Sequence, residues 1–154
     1  MKFEHKTSIN APIDKVWDFL MDLESVAKCV PGVETVEKLD NERYRGTLKV
    51  KVGPISLNLQ GDASITERDD TAHKASMRLD AADKRAGGAV KGIASMTATE
   101  AGGGVTELQL DTDAQVMGRI GEFGQPIIRR KAEQTMNEFA DNLRKAIQAR
   151  GASA

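Results

Sequence analysis

The stretch YRGTLKVKVGPISLNLQGDASI, residues 44–65, carries the clearest structural signal in the chain. In its first half Leu48, Val50 and Val52 alternate with polar residues, which is the pattern of a strand with one buried and one solvated face. Gly53-Pro54 is a strong turn signal, and the alternation resumes after it. The stretch therefore predicts two antiparallel strands joined as a hairpin.

Strand patterns separated by turn residues continue on both sides of this hairpin. Between the first and second strands, Pro12 opens a helix whose apolar residues recur at helical spacing, and a second short helix is expected at residues 23–28. The other expected strands lie at residues 2–9, after Val33, and at 73–82, 90–100 and 105–116. The predicted order is β-α-α followed by a six-stranded meander.

From Gln125 onward the spacing of apolar residues changes from two to three and four, which indicates a helix. About 24 residues at roughly 1.5 Å each give a length on the order of 36 Å, enough to cross a sheet. The fold class is therefore α+β, with a curved antiparallel sheet wrapped around a long C-terminal helix and a final order of β-α-α-β6-α. The stripe of this helix consists of Ile128, Ala132, Thr135, Met136, Phe139, Leu143 and Ile147.

Composition narrows the class of protein. The chain has 154 residues, 40% hydrophobic and 29% charged, which fits one soluble domain at residues 1–150 with a short disordered tail at 151–154. A net charge of −1 lacks the basic footprint of nucleic-acid binding, so no nucleic-acid partner is expected. Cys29 is the single cysteine, and His5 and His73 have no partners at ligand spacing. We therefore expect no disulfide, no metal site and a cytoplasmic protein without a membrane span.

Small residues occupy many positions that should face the helix. With aromatic residues at 4% of the chain, few large side chains remain to fill the space beneath it. The pattern predicts an apolar cavity, and ligand pockets usually measure roughly 300–1,000 Å³. The alternative is a core filled by methionine and leucine, since flexible methionine often fills gaps. The small inward residues are Gly46, Gly61, Ala63, Ala75, Ala81, Ala94, Ala98 and Ala114.

We expect the cavity wall to be formed by apolar residues from the first helix, the strands and the last helix. Trp17 has two interpretations, because it could line the mouth of the cavity or anchor its helix to the sheet. The expected wall residues are Trp17, Leu20, Leu48, Val50, Leu57, Leu59, Met77, Leu79, Met96, Leu110, Ala114, Met136 and Phe139.

Four motifs that follow one another along the chain resemble the carbon monoxide dehydrogenase CoxG family. They are APIDKVW at 11–17, CVPGVE at 29–34, GTLKVKVGPI at 46–55 and GRIGEFG at 118–124, and the likeness spans about residues 1 to 147. It implies a START-like helix-grip domain accessory to a molybdenum hydroxylase such as carbon monoxide dehydrogenase. The implied role is maturation, membrane recruitment or electron delivery by a non-catalytic protein. Its ligand would be an isoprenoid quinone or a similar lipid, with no covalent cofactor.

Two segments near the last helix are candidate accessory sites. Gly118, Arg119, Ile120, Gly121, Phe123 and Gly124 precede that helix, and their glycines permit either a tight bend or a mobile gate to the cavity. Arg129, Arg130 and Lys131 lie beside Ile127 and Ile128. This basic run is a candidate surface for a partner enzyme or for peripheral contact with the inner face of the cytoplasmic membrane. A simple solvated helix face is the commoner explanation for such a run.

An enzyme remains an alternative, because START-like relatives include polyketide cyclases and aromatases, which need polar groups inside the pocket to move protons. The candidate groups are Arg43, Tyr44, Asp111, Asp113 and Arg119. The two aspartates alternate with Leu110, Thr112 and Ala114, so both carboxylates should point to solvent if the latter face inward. We therefore predict no catalytic residues, and a structural adaptor with a filled core is a third interpretation.

Overall fold

The computed structural model describes residues 1–153, with side chains for residues 1–150. Seven strands, three α-helices and one 3₁₀ segment form in the predicted order. The disordered tail predicted at 151–154 lies outside the described side chains and stays a prediction. The elements are β1 Lys2–Ile9, α1 Ile13–Met21, α2 Leu23–Lys28, β2 Val33–Lys38, β3 Arg43–Val52, β4 Ile55–Asp69, β5 Lys74–Asp83, β6 Gly88–Gly102, β7 Val105–Gly118, the 3₁₀ segment Arg119–Phe123 and α3 Gln125–Ser153.

The strands form one antiparallel sheet in the order β1-β7-β6-β5-β4-β3-β2. The predicted hairpin is confirmed, with Leu48 opposite Leu59 in the ladder between β3 and β4, and Gly53 supplies the positive φ of 58° that its turn requires. His73 was expected to begin a strand, but its φ of 56° places it in a turn, so β5 begins at Lys74. The α+β order predicted from the sequence is therefore confirmed.

Helix α3 runs alongside the edge strand β1. Near its start, the Arg129 guanidinium lies 4.9 Å from the centre of the Phe3 ring, and near its end the Gln148 side chain accepts a hydrogen bond from the Asn10 backbone at 3.0 Å. At the C-terminal end, Arg150 also pairs with Asp22, the residue that caps α2. These contacts hold the helix over the concave face of the sheet.

The buried apolar residues fall into two clusters at opposite ends of this face. The first joins α1 to the C-terminal half of α3 and includes Leu20 and Leu143, both with no exposed surface. The second lies near the hairpin turn and includes Val52, Leu57 and Ile120. Space remains between the two clusters, beneath the N-terminal half of α3.

Candidate ligand cavity

A cavity of about 450 Å³ lies between the concave face of the sheet, α2 and the N-terminal half of α3. Its volume is within the range usual for small-molecule sites. Apolar side chains from the sheet and from the flanking helical elements dominate the wall. Such a surface favours an apolar occupant, because transfer of apolar surface out of water is the main driving force for association.

Most of the residues expected on the wall lie there, which places strands β3 to β7 and α3 around one common space. Whether they contact a ligand stays a prediction. The expected residues that line the cavity are Val50, Leu57, Leu59, Met77, Leu79, Met96, Leu110, Ala114, Met136 and Phe139.

Small side chains explain why the space is not filled. Ala63, Ala94 and Ala114 lie on the wall, each in a strand position where a larger residue would extend towards α3. Met77 and Met136 also lie on the wall and leave the volume between them open. Methionine therefore borders the cavity, and the filled core weighed as the alternative is not what the structure shows.

Trp17, Leu20 and Leu48 were predicted on the wall, and this placement is wrong. Trp17 is buried and faces the turn after β4, where its indole N–H donates to Asp70 Oδ1 at 2.9 Å and its ring meets His73 edge-on at 5.3 Å. Leu20 is sealed in the cluster around α1, because α1 packs at the other end of the sheet. Leu48 is half-buried and packs at the edge of the cluster around Val52.

Helix α2 contributes wall residues that the sequence reasoning missed. Leu23, Val26 and Ala27 of this helix line the cavity, and their spacings of three and one mark one helical face; Val30, just after the helix, lines it as well. The apolar stripe is short because the helix has only six residues, but its helical spacing is visible in the sequence. Phe3 of β1 closes the wall beside α3 and was also missed, since its strand was not considered part of the site.

Polar groups on the wall are few. Two of them are satisfied within the protein, because the Thr135 hydroxyl donates to the Lys131 carbonyl at 2.9 Å and the Ser95 hydroxyl bonds with Ser76 at 2.9 Å. The other polar side chains are those of Tyr44, Thr112 and Lys131, and the N-terminal amine of Met1 donates to the Ala114 carbonyl at 2.7 Å. Among the wall residues that the structure describes there is no carboxylate and no imidazole.

The candidate acid–base groups do not come together. Arg43 pairs with Asp40 at 2.9 Å on the surface, and Asp113 points outward beside the N-terminal amine at 3.8 Å. Asp111 accepts from Gln109 at 3.1 Å, on the face of β7 away from the cavity. Arg119 is exposed, so Tyr44 is the member of this set that reaches the wall. Within the described part of the chain, no three His, Cys, Asp or Glu side chains are grouped as metal ligands.

The sequence profile of the carbon monoxide dehydrogenase CoxG family matches residues 6–148. The chain belongs to the CoxG family. The resemblance carried by the four motifs is therefore confirmed over nearly the whole chain. No curated protein matches the sequence at a significant level.

Solved structures resemble this CoxG-family chain over almost its full length. A conserved protein from Geobacillus kaustophilus has a TM-score of 0.87 at 17% identity, covering 97% of this chain and 96% of its own. The Zhui aromatase/cyclase from Streptomyces sp. R1128 has 0.71 at 18%, covering 97% and 94%. A START superfamily protein from Mycobacterium smegmatis has 0.71 at 13%, covering 96% and 97%. These likenesses confirm the START-like helix-grip fold.

The segment 118–124 of the CoxG-family chain is held tightly at its first residue. Gly118 has φ 76° and ψ −151°, and a Cβ there would come within 2.1 Å of the Gly87 carbonyl oxygen. The buried Ile120 side chain packs on Gly88 and is the part of this segment that lines the cavity. Arg119, Gly121, Phe123 and Gly124 lie outside the wall. The segment closes one end of the cavity, and its movement as a gate stays a prediction.

The three residues of the basic run at the start of α3 lie in different environments. Arg129 lies over the Phe3 ring and bonds the Lys2 carbonyl at 3.5 Å, whereas Arg130 is exposed. Lys131 was predicted on the same outer surface, but its side chain lies on the cavity wall and is half-buried. The helical period explains the correction, since Lys131 follows Ile128 by three residues and precedes Thr135 by four.

Proposed function

We propose that this CoxG-family protein is a non-catalytic carrier that holds an apolar molecule beneath α3. The observation that supports the proposal is the cavity of about 450 Å³, with a wall of leucine, valine, methionine and alanine. A wall of this kind retains an apolar molecule through the roughly 25 cal/mol per Å² of apolar surface that leaves water. Holding requires no acid–base pair, and the described wall contains no carboxylate or imidazole.

We further propose that the ligand is an isoprenoid quinone or a similar lipid, and that the protein serves a molybdenum hydroxylase such as carbon monoxide dehydrogenase. Membership of the CoxG family, which takes its name from that enzyme, supports this role. A quinone ring with a short isoprenoid tail suits the volume of the cavity. A long tail would extend beyond it.

Exchange of such a ligand would occur at the inner face of the cytoplasmic membrane. Ile127, with 45% of its surface exposed, and Arg130 lie together at the start of α3. Ile127 suits the apolar part of a membrane surface, and Arg130 suits its anionic lipid head groups. Among the described residues, no helix combines the length and the apolar character that crossing a bilayer demands. The contact that we propose is peripheral and involves Ile127 and Arg130.

A second candidate function is catalysis of an aromatase/cyclase reaction, the activity in the name of the structurally similar Zhui protein. The observation in its favour is that Tyr44 and Lys131, two groups able to transfer protons, lie on the wall. Recovery of a chemically altered compound after incubation with the protein would favour this function, whereas a carrier returns its ligand unchanged.

The proposal is tested by mass spectrometry of apolar compounds extracted from the protein purified from its own cells. We expect an isoprenoid quinone in the extract of the unmodified chain. Ala94→Leu should abolish recovery because it fills the cavity, and Ala114→Leu provides a second filling variant if the first does not fold. Ile93→Leu is the matched control, since Ile93 is the adjacent residue on the opposite face and is 52% exposed. An extract without apolar compounds, or equal recovery from all variants, would overturn the proposal.

A further inference from the structure

Lys131 is the one charged side chain among the described wall residues of the cavity. It lies on the same face of α3 as Ile128 and Thr135, which also line the cavity, and its side chain is half-buried. Lys131 is therefore a lysine on a wall that is otherwise almost entirely apolar.

The ammonium of Lys131 has no partner among the side chains that the structure describes. Across residues 1–150 it enters no hydrogen bond or ion pair, although other basic residues of α3 do. Arg129 pairs with Glu133 at 3.7 Å, and Lys145 pairs with Asp141 at 3.4 Å. An ammonium offers three donors and no acceptor, so the flexible Lys131 side chain has donors available to a ligand in the cavity.

Tyr44 supplies a second free donor from the sheet side of the same cavity. Its hydroxyl has no hydrogen-bond partner among the described residues, and the residue opposite it in β4 is Ala63, which leaves space beside the ring. Because Tyr44 belongs to β3 and Lys131 to α3, the two donors belong to the sheet wall and the helix wall respectively.

We propose, building on the carrier function above, that Lys131 selects the ligand by binding the polar group of the ligand. The ligand is amphipathic and carries an oxygen acceptor that bonds to the Lys131 ammonium, with the Tyr44 hydroxyl as a second donor. Its apolar part rests against Ala63, Ala94 and Ala114. The acceptor is a neutral carbonyl, as in a quinone, or a carboxylate, as in a fatty acid, and both place an oxygen where the ammonium needs one.

The test compares Lys131→Met, which keeps the aliphatic stem but removes the charge, with the matched control Lys51→Met, at an exposed position of β3. The probes are a geranyl-substituted methylnaphthoquinone and the neutral dye N-phenyl-1-naphthylamine, which has no oxygen. Loss of a charge-assisted hydrogen bond should weaken quinone binding by about 10- to 100-fold in Lys131→Met. Dye binding by that variant, and both affinities of Lys51→Met, should stay unchanged. Tyr44→Phe should show a smaller loss for the quinone alone.

A third probe, dodecanoate, separates the two kinds of acceptor. A loss for dodecanoate that exceeds the loss for the quinone would assign a carboxylate head to the ligand and still support the role of Lys131. Unchanged quinone and dodecanoate affinities in Lys131→Met would overturn this inference while leaving the carrier function intact. Failure of the unmodified chain to bind any of the three probes would instead overturn the carrier function, and this inference with it.

Discussion

Asp83 is a carboxylate with 6% exposed surface at the end of β5, and it organises the turn into β6. Its oxygens accept backbone hydrogen bonds from Asn58 at 2.7 Å and from Arg85 and Ala86 at 3.0 Å each. The N–H group of Asn58, followed by that of Ala86, holds the pKa of Asp83 below its ordinary value. The charged form therefore stabilises the fold.

We expect Asp83→Asn to lower the free energy of unfolding in a pH-dependent way. A carboxyl whose pKa is lowered by folding contributes stability above its unfolded pKa of about 3.9. That contribution is lost as the pH falls through the folded pKa. Urea unfolding should therefore show the largest difference from the unmodified chain near neutral pH and a shrinking difference below about pH 4. Asp18→Asn, at an exposed position of α1, is the control, and an equal effect of both variants at all pH values would contradict the account.

Trp17 anchors α1 to the turn after β4, and a substitution can distinguish this role from a role in ligand binding. The Arg68 guanidinium and then the Trp17 indole hold the pKa of Asp70 below its ordinary value, so Asp70 stays charged as the acceptor. Trp17→Phe removes the indole donor and should cost about 1–2 kcal/mol in thermal or urea unfolding. Ligand affinity should be unchanged. Weaker binding at unchanged stability would restore Trp17 to the cavity mouth.

At the scale of single elements, the stripe of α3 has two parts with different tasks. Leu143 has no exposed surface and packs in the cluster around α1, whereas Phe139, one turn earlier, is half-buried on the cavity wall. Leu143→Ala should lower the free energy of unfolding by about 2–5 kcal/mol. Phe139→Ala should lower the free energy of unfolding by less, because the Phe139 side chain already borders open space. It should change ligand affinity more than Leu143→Ala does. Urea unfolding of the two variants checks this, and equal costs would show that the stripe is packed uniformly.

The junction between β7 and the 3₁₀ segment depends on a glycine. Gly118 combines a positive φ with a close approach to the Gly87 carbonyl, so Gly118→Ala should cost about 1–3 kcal/mol or more and displace Ile120 from the cavity end. Gly103→Ala is a matched control, since Gly103 also has a positive φ of 63° but has no atom within 4 Å of the added Cβ. Thermal unfolding should separate the two variants. A smaller effect at position 118 than at 103 would contradict the proposed packing.

The sequence was sufficient for elements whose pattern is long and regular. Alternation in β3 and β4, and the spacing of three and four in α3, predicted the hairpin and the helix because burial of one face dictates both periods. Lys131 was misplaced because its charge suggested solvent, although its position in the helical period pointed to the cavity. The location of Trp17 depends on Asp70 and His73, which lie more than fifty residues away, and local patterns carry no information about such partners.

At the scale of the whole molecule, the position of the cavity follows from where the two clusters of buried apolar residues lie. One cluster fixes α1 to the C-terminal half of α3, and the other fixes the hairpin end to Ile120. The small residues Ala63, Ala94 and Ala114 lie between these clusters, so the N-terminal half of α3 spans a gap. The expected small residues Ala75 and Ala98 belong instead to the packed cluster around α1. Small inward residues therefore predict a cavity only where α1 does not pack against them.

The central claim is that an apolar ligand binds inside this gap. An NMR titration of the ¹⁵N-labelled chain with the geranyl-substituted methylnaphthoquinone tests it most directly, because each backbone amide reports its own position. We predict saturable shifts at the amides of Ala63, Ala94 and Ala114 and of Met136 on α3. The amide of Gly103, in the exposed turn between β6 and β7, should not shift. Absence of saturable shifts, or shifts confined to residues away from the cavity, would contradict the account.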